Sequence, residues 1–183
     1  LPFNMNTFYQ LWGTQTPLAA KAKIAEQCKK YDYITHPANL EEHALKMCGD
    51  DIYNTFIKGY TEKQWGRRAT ELPSFIIKRI PLRFVYNNNY FNDPYQGIPV
   101  GGYTPIIESM IKGAEVQINT DYFENKTYFD SLAPKMIFTG RIDEFFDFKF
   151  GKLEYRSLHF EHERLEINDF QGNAVVNYNE FDV

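Results

Sequence analysis

The chain has 183 residues, 43% of them hydrophobic and 24% charged, and a formal net charge of −4; such values suit a globular protein with one substantial core or two small subdomains. The negative balance excludes a general nucleic-acid coat, which needs a basic face, and no apolar run approaches the ~20 residues of a membrane span. The unusual quantity is the 17% aromatic fraction, with 16 Phe and 13 Tyr against 2 Trp, and so many phenols need pockets, surfaces or partners.

In chain order, the first third reads helical. Thr16-Pro17 opens a helix to about Lys30, because threonine caps and proline is tolerated at the first helical position. Asn39 with Glu42 three positions on has the form of a capping box, with Leu40, Ala44, Met47 and Cys48 as the apolar face and Gly49 as the stop. A third helix is expected from about Asp51 to Lys58, and Thr61 with Gln64 suggests another short start.

Beyond Pro73 the period shifts. Leu82 to Tyr86 and Tyr90-Phe91 flank Asn87-Asn88-Asn89 like a hairpin, and Thr104-Pro105 opens a helix to about Lys112. Strands are expected at Glu115 to Asn119, Lys135 to Thr139, Tyr155 to Glu163 and Ala174 to Tyr178, from alternation or short apolar runs. The expected fold class is therefore α+β: an N-terminal helical subdomain, residues 1–75, followed by a mixed, mostly antiparallel sheet with a few helices, residues 76–183. Cys28 and Cys48 read as reduced thiols of a cytosolic protein, since two cysteines cannot make a disulfide framework. The chain starts without Met and stops just after a strand-like run, which suggests a piece of a larger protein. Its start has neither the basic residues nor the cleavage pattern of a signal peptide.

Chemistry concentrates between Phe56 and Tyr103. There Tyr60, Trp65, Arg67, Lys78, Arg79, Tyr90 and Tyr95 interleave flat rings with cations. Rings can stack on a base and guanidinium forks can hold phosphate, the pairing that a sugar-nucleotide site needs. Each residue also has a plainer reading. Phe56 is spaced from Ile52 like a core pair, Trp65-Gly66 could plug a junction, and Arg79 could sit in a surface ion pair. His159 and His162 face opposite sides of a strand and are not read as metal ligands, while Asp143, Glu144 and Asp147 fit a solvated helix face.

The runs Lys58-Gly59-Tyr60-Thr61, Gln64-Trp65-Gly66, Lys78-Arg79, Asn89-Tyr90-Phe91-Asn92, Gln96-Gly97 and Gly102-Tyr103-Thr104 decide among these. Together with Leu1-Pro2-Phe3-Asn4, Glu154-Tyr155-Arg156 and Gln171-Gly172-Asn173, they resemble bacterial UDP-galactopyranose mutase over essentially the whole chain. The resemblance implies interconversion of UDP-galactopyranose and UDP-galactofuranose with reduced FAD, which bonds to the anomeric carbon as UDP leaves. It implies that Phe56 and Tyr60 flank the uracil, that Asn4 contacts it, and that Thr61 and Trp65 line the sugar–phosphate channel. Arg79 would hold the diphosphate and serve catalysis, Tyr90 would donate its hydroxyl to the same group, and Asn177 would reach the cleft. UDP-galactose is thus the expected small-molecule partner, with no nucleic acid, no metal, a possible homodimer and a cytoplasmic location.

Three departures qualify that expectation. The G-x-G-x-x-G turn for FAD has no counterpart, because Gly97 to Gly102 has the wrong context and spacing, although residues 113–150 would supply part of the FAD domain. The family's second phosphate arginine would lie beyond Asn177, where this chain soon ends, and Arg141 stands where the family usually has proline. The isolated chain is accordingly expected to be inactive and to bind FAD poorly. The alternatives are a non-catalytic nucleotide-sugar binding module and a structural interaction domain.

Overall fold

A computed structural model describes residues 3–78, 81–89, 92–173 and 175–180. They fall into two units, Leu1–Asn92 with Arg156–Val183, and Asp93–Tyr155.

The first unit is built on four helices, three of which begin at side-chain caps. Helix α1, Met5–Trp12, is capped by Asn4, whose side chain accepts from the Thr7 N–H at 3.1 Å, and it stops at Gly13 in the left-handed region. Helix α2, Pro17–Cys28, has Thr16 as its cap and proline in its first turn. Helix α3, Leu40–Ile52, starts at Asn39, which accepts from the Glu42 N–H at 3.0 Å. Glu42 in turn accepts from the Ala38 N–H at 2.8 Å, one residue outside the usual reciprocal bond. Gly49 does not end α3 but kinks it, at φ 79° and ψ 179°, and the helix resumes to Ile52. A wide π-helical turn, Tyr53–Lys58, then runs into α4, Gly59–Trp65, which Gly66 closes.

Met5, Phe8, Leu40, Ala44, Cys48, Ile52 and Leu72 are fully or almost fully buried and form the centre of the core. Each large apolar member contributes about 1.5–3 kcal/mol relative to exposure. The chain after α4 returns through two short 3₁₀ turns, and the Leu40 N–H donates to the Leu72 carbonyl at 2.8 Å. Residues 82–85 lie along the start of the chain, with Arg83 N–H donating to the Phe3 carbonyl at 2.8 Å and Met5 N–H to that of Val85 at 3.2 Å.

The second unit holds α5, Thr104–Met110, α6, Lys126–Ser131, and α7, Ile142–Phe145. None of its described residues is buried as a whole, although the Asp143 side chain is 8% exposed. Instead Tyr122 stacks on Phe145 at 6.1 Å, Phe138 sits 4.9 Å from Phe145, and the Lys126 ammonium lies 4.8 Å over the Phe145 ring. Asp143 closes this unit's last loop by accepting from the Leu153 and Glu144 N–H groups, which hold its carboxyl below the usual range.

The α+β expectation is overturned. Among the described residues there is one isolated parallel bridge, Phe3 with Leu82, and no strand ladder, so there is no antiparallel sheet. Residues 82–85 pair with the start of the chain, and Tyr90-Phe91, the second arm of the expected hairpin, lies outside the described residues. The alternating segments at 115–119 and 155–163 leave Ile118, Tyr155, Leu158 and Phe160 largely exposed. Alternation prepares a face for burial, but a strand exists only when a neighbour about 4.8 Å away takes its backbone bonds.

Candidate nucleotide-sugar site

The stretch from Phe56 to Trp65 carries four of the residues singled out from the sequence. Phe56, in the π turn, is half-buried and its ring lies 6.0 Å from that of Phe3. Tyr60, one turn on, is half-buried, Thr61 is buried, and Trp65 is half-buried against the core. The 56/60 and 61/65 pairs are each about one turn apart, and because Tyr60 and Thr61 are consecutive the two pairs lie on different sides of the helical stretch. The Arg156 Nε donates to the Trp65 carbonyl at 2.8 Å, placing a cation at the carbonyl end of α4.

Asn4 is brought to the same neighbourhood through Phe3, but its amide is committed within the protein. Its oxygen accepts from Thr7, and its nitrogen donates to the Asn87 carbonyl at 2.6 Å and to Asn88 Oδ1 at 2.8 Å. It is 1% exposed. Arg79 and Tyr90 lie outside the described residues. Asn177 is exposed, and the segment that carries it runs along the π turn and α4. There Asn179 Nδ2 donates to the Thr55 carbonyl at 3.1 Å and Lys63 Nζ to the Glu180 carbonyl at 2.9 Å.

Two residues in this arrangement were missed by the sequence reading. Gly59 lets the Asn179 backbone come so close that a Cβ would stand 2.2 Å from its carbonyl oxygen. A glycine inside a helical run was the available signal. Asn179 offered none, because its partner is 124 residues away.

Beneath the site, α3 and the π turn are held by polar pairs. Tyr53 donates its phenol to Glu41, and burial followed by that bond pushes the phenol far above its usual range. Asp51 accepts from Trp12 Nε1 at 2.7 Å and from Gln27 Nε2 at 2.6 Å, which ties α1 and α2 to α3. Cys48 is a free thiol pushed up to about 12 by burial, so it is not a nucleophile at neutral pH. A hollow of about 450 Å³ in the second unit, lined by Gln117, Thr120, Tyr122, Tyr128 and Met136 among others, contains none of the residues singled out from the sequence.

The family model described as GLF, UDP-galactopyranose mutase, matches residues 55–183, a span that begins at the π turn and includes α4, Gly59 and Asn179. The chain belongs to the UDP-galactopyranose mutase family. Among its relatives, a dTDP-fucopyranose mutase of Escherichia coli is 38% identical over 189 residues, covering 100% of this chain and 50% of that protein. A probable UDP-galactopyranose mutase of Klebsiella pneumoniae is also 38% identical, over 188 residues and 47% of its length. A UDP-galactopyranose mutase of Mycoplasma genitalium is 27% identical over 192 residues. The chain spans about half the length of the curated relatives it matches.

The UDP-galactopyranose mutase family is flavin-dependent, and the described residues do not fit a flavin cradle. Gly101 and Gly102 have positive φ, but no strand precedes them among the described residues and the helix that follows, α5, has seven residues. A Cβ on either glycine would meet nothing within 4 Å, so no backbone approach of the dinucleotide-turn kind is prepared there. No helix among the described residues is long and apolar enough to cross a membrane.

Proposed function

We propose that the chain is the nucleotide-sugar side of a longer, cytoplasmic mutase that interconverts UDP-galactopyranose and UDP-galactofuranose. The observation that supports this reading is the family match over residues 55–183, which takes in Phe56, Tyr60, Thr61 and Trp65 on one helical stretch and Asn179, whose side chain donates to the Thr55 carbonyl. Phe56 and Tyr60 supply faces for the uracil, where a stacked ring is worth about 1–3 kcal/mol. Arg79 grips the diphosphate with two parallel hydrogen bonds and stabilises UDP as it leaves, and the Tyr90 hydroxyl donates to the same group. Thr61, Trp65 and Asn177 line the channel that positions the anomeric carbon. FAD, when bound, supplies the nucleophile at that carbon, and its cradle belongs to residues other than those described.

A second substrate pair has support, since the dTDP-fucopyranose mutase matches this chain as well as the probable UDP-galactopyranose mutase does. Thymine differs from uracil by one methyl group, worth about 1–3 kcal/mol in an apolar pocket, and the two sugar nucleotides differ further in the ribose 2′-hydroxyl and the sugar 6-hydroxyl. The test is turnover by the full-length protein with reduced FAD on both sugar nucleotides. Faster formation of UDP-galactofuranose is expected; turnover of dTDP-fucopyranose alone would move the assignment to that pair, and UDP binding without turnover would make it a binding module. Arg79→Ala should weaken UDP binding at least tenfold, and Arg79→Lys should restore little of it, because lysine cannot form the fork. Unchanged affinity in Arg79→Ala removes the diphosphate role.

A further inference from the structure

We propose that Gly59 and Asn179 are positioning residues for the nucleotide site, forming a clasp that presents the Asn177 segment to the helix of Tyr60 and Thr61. The inference rests on the nucleotide-sugar reading above and adds residues that the reading does not contain. Gly59 has φ −59° and ψ −47°, ordinary helical values that any residue adopts. Its lack of a side chain is therefore not needed for backbone conformation, and glycine in a helix interior is a poor choice on propensity. It is needed for space, since a Cβ would meet the Asn179 carbonyl oxygen at 2.2 Å and its carbon at 3.3 Å. A backbone atom cannot swing aside as a flexible side-chain tip can, so any larger residue displaces the segment.

The other ties lie on either side of this contact. Asn179 Nδ2 donates to the Thr55 carbonyl, one turn before Gly59, and Lys63 Nζ donates to the Glu180 carbonyl one turn after it. Thr55 lies within the π turn, where i→i+5 bonding widens the helix. A wide turn, a bare helical position and two hydrogen bonds thus converge on residues 179 and 180. Asn177 precedes Asn179 by two residues, so where the clasp holds the chain determines where Asn177 stands relative to Tyr60.

The test uses the full-length protein, with UDP affinity read by tryptophan fluorescence quenching and the segment itself read by hydrogen exchange across residues 175–180. Gly59→Ala should raise exchange in that segment and weaken UDP binding about tenfold or more, while helical circular dichroism is retained. Asn179→Ala should weaken UDP binding about threefold or more, and the double variant should bind no worse than Gly59→Ala, because both act through one contact. A role in stability alone predicts lower melting temperatures with UDP affinity unchanged. UDP affinity equal in wild type, Gly59→Ala and Asn179→Ala overturns the clasp; if Gly59→Ala does not fold, Asn179→Ala decides alone. A wild-type protein that binds no UDP overturns the nucleotide reading instead.

Discussion

Asn4 uses its whole hydrogen-bonding capacity inside the protein, accepting from Thr7 and donating twice to the Asn87–Asn88 loop. Its sequence position suggested a base contact through family resemblance, and the cap went unread because position N3 is Thr7 rather than the glutamate or glutamine of a capping box. The two roles separate experimentally. Asn4→Asp keeps the capping oxygen but removes both donors, and should cost about 1–3 kcal/mol because the Asn87 carbonyl loses its bond and Asn88 Oδ1 keeps only that from Asn6. Asn4→Ala also loses the cap, for about 1 kcal/mol more. Urea denaturation checks both values. A base-contact role predicts the opposite pattern in Asn4→Asp, with nucleotide affinity lost and stability kept. Tyr60 and Trp65, by contrast, were legible as site candidates because their signal is the side chain itself, a ring beside cations, and needs no knowledge of partners.

At the level of elements, the helices were readable because what starts them is local. Thr16-Pro17 and Asn39 with Glu42 satisfy backbone donors within three or four residues, and α2 and α3 begin at those positions. Gly49 was read as a stop, yet its unusual backbone turns the chain once and α3 continues. That φ/ψ region is essentially open to glycine alone, and an added Cβ would stand 2.6 Å from Gln27 Cβ. Gly49→Ala should therefore cost about 3 kcal/mol or more, with a melting temperature on the order of 10 °C lower. A loss below about 1 kcal/mol would show that α2 shifts to make room. The strands were not readable in the same sense. Alternation at 115–119 and 155–163 reports which faces could be buried, whereas a ladder depends on a second strand whose identity no local pattern encodes. The π turn had no signal either, being a change of hydrogen-bond partner rather than of composition.

For the molecule as a whole, the contrast between its parts governs what it can do alone. Buried side chains gather in the first unit, while Tyr95, Ile98, Val100, Met110, Ile137 and Phe150 of the second are largely exposed. The described residues also lack a flavin cradle. The 183-residue chain on its own, given FAD and dithionite, should form no UDP-galactofuranose from UDP-galactopyranose, and chromatographic detection of any product would contradict this. The long-range pairing at the start of the chain has a consequence of a different kind. Asn4 and Met5, at the start of α1, bond to Val85, Asn87 and Asn88, 80 or more positions downstream. A ribosome paused before residue 85 would hold a nascent chain in which α1 can already reach Asp51 through Trp12 but whose first turn still lacks its bonds to that loop.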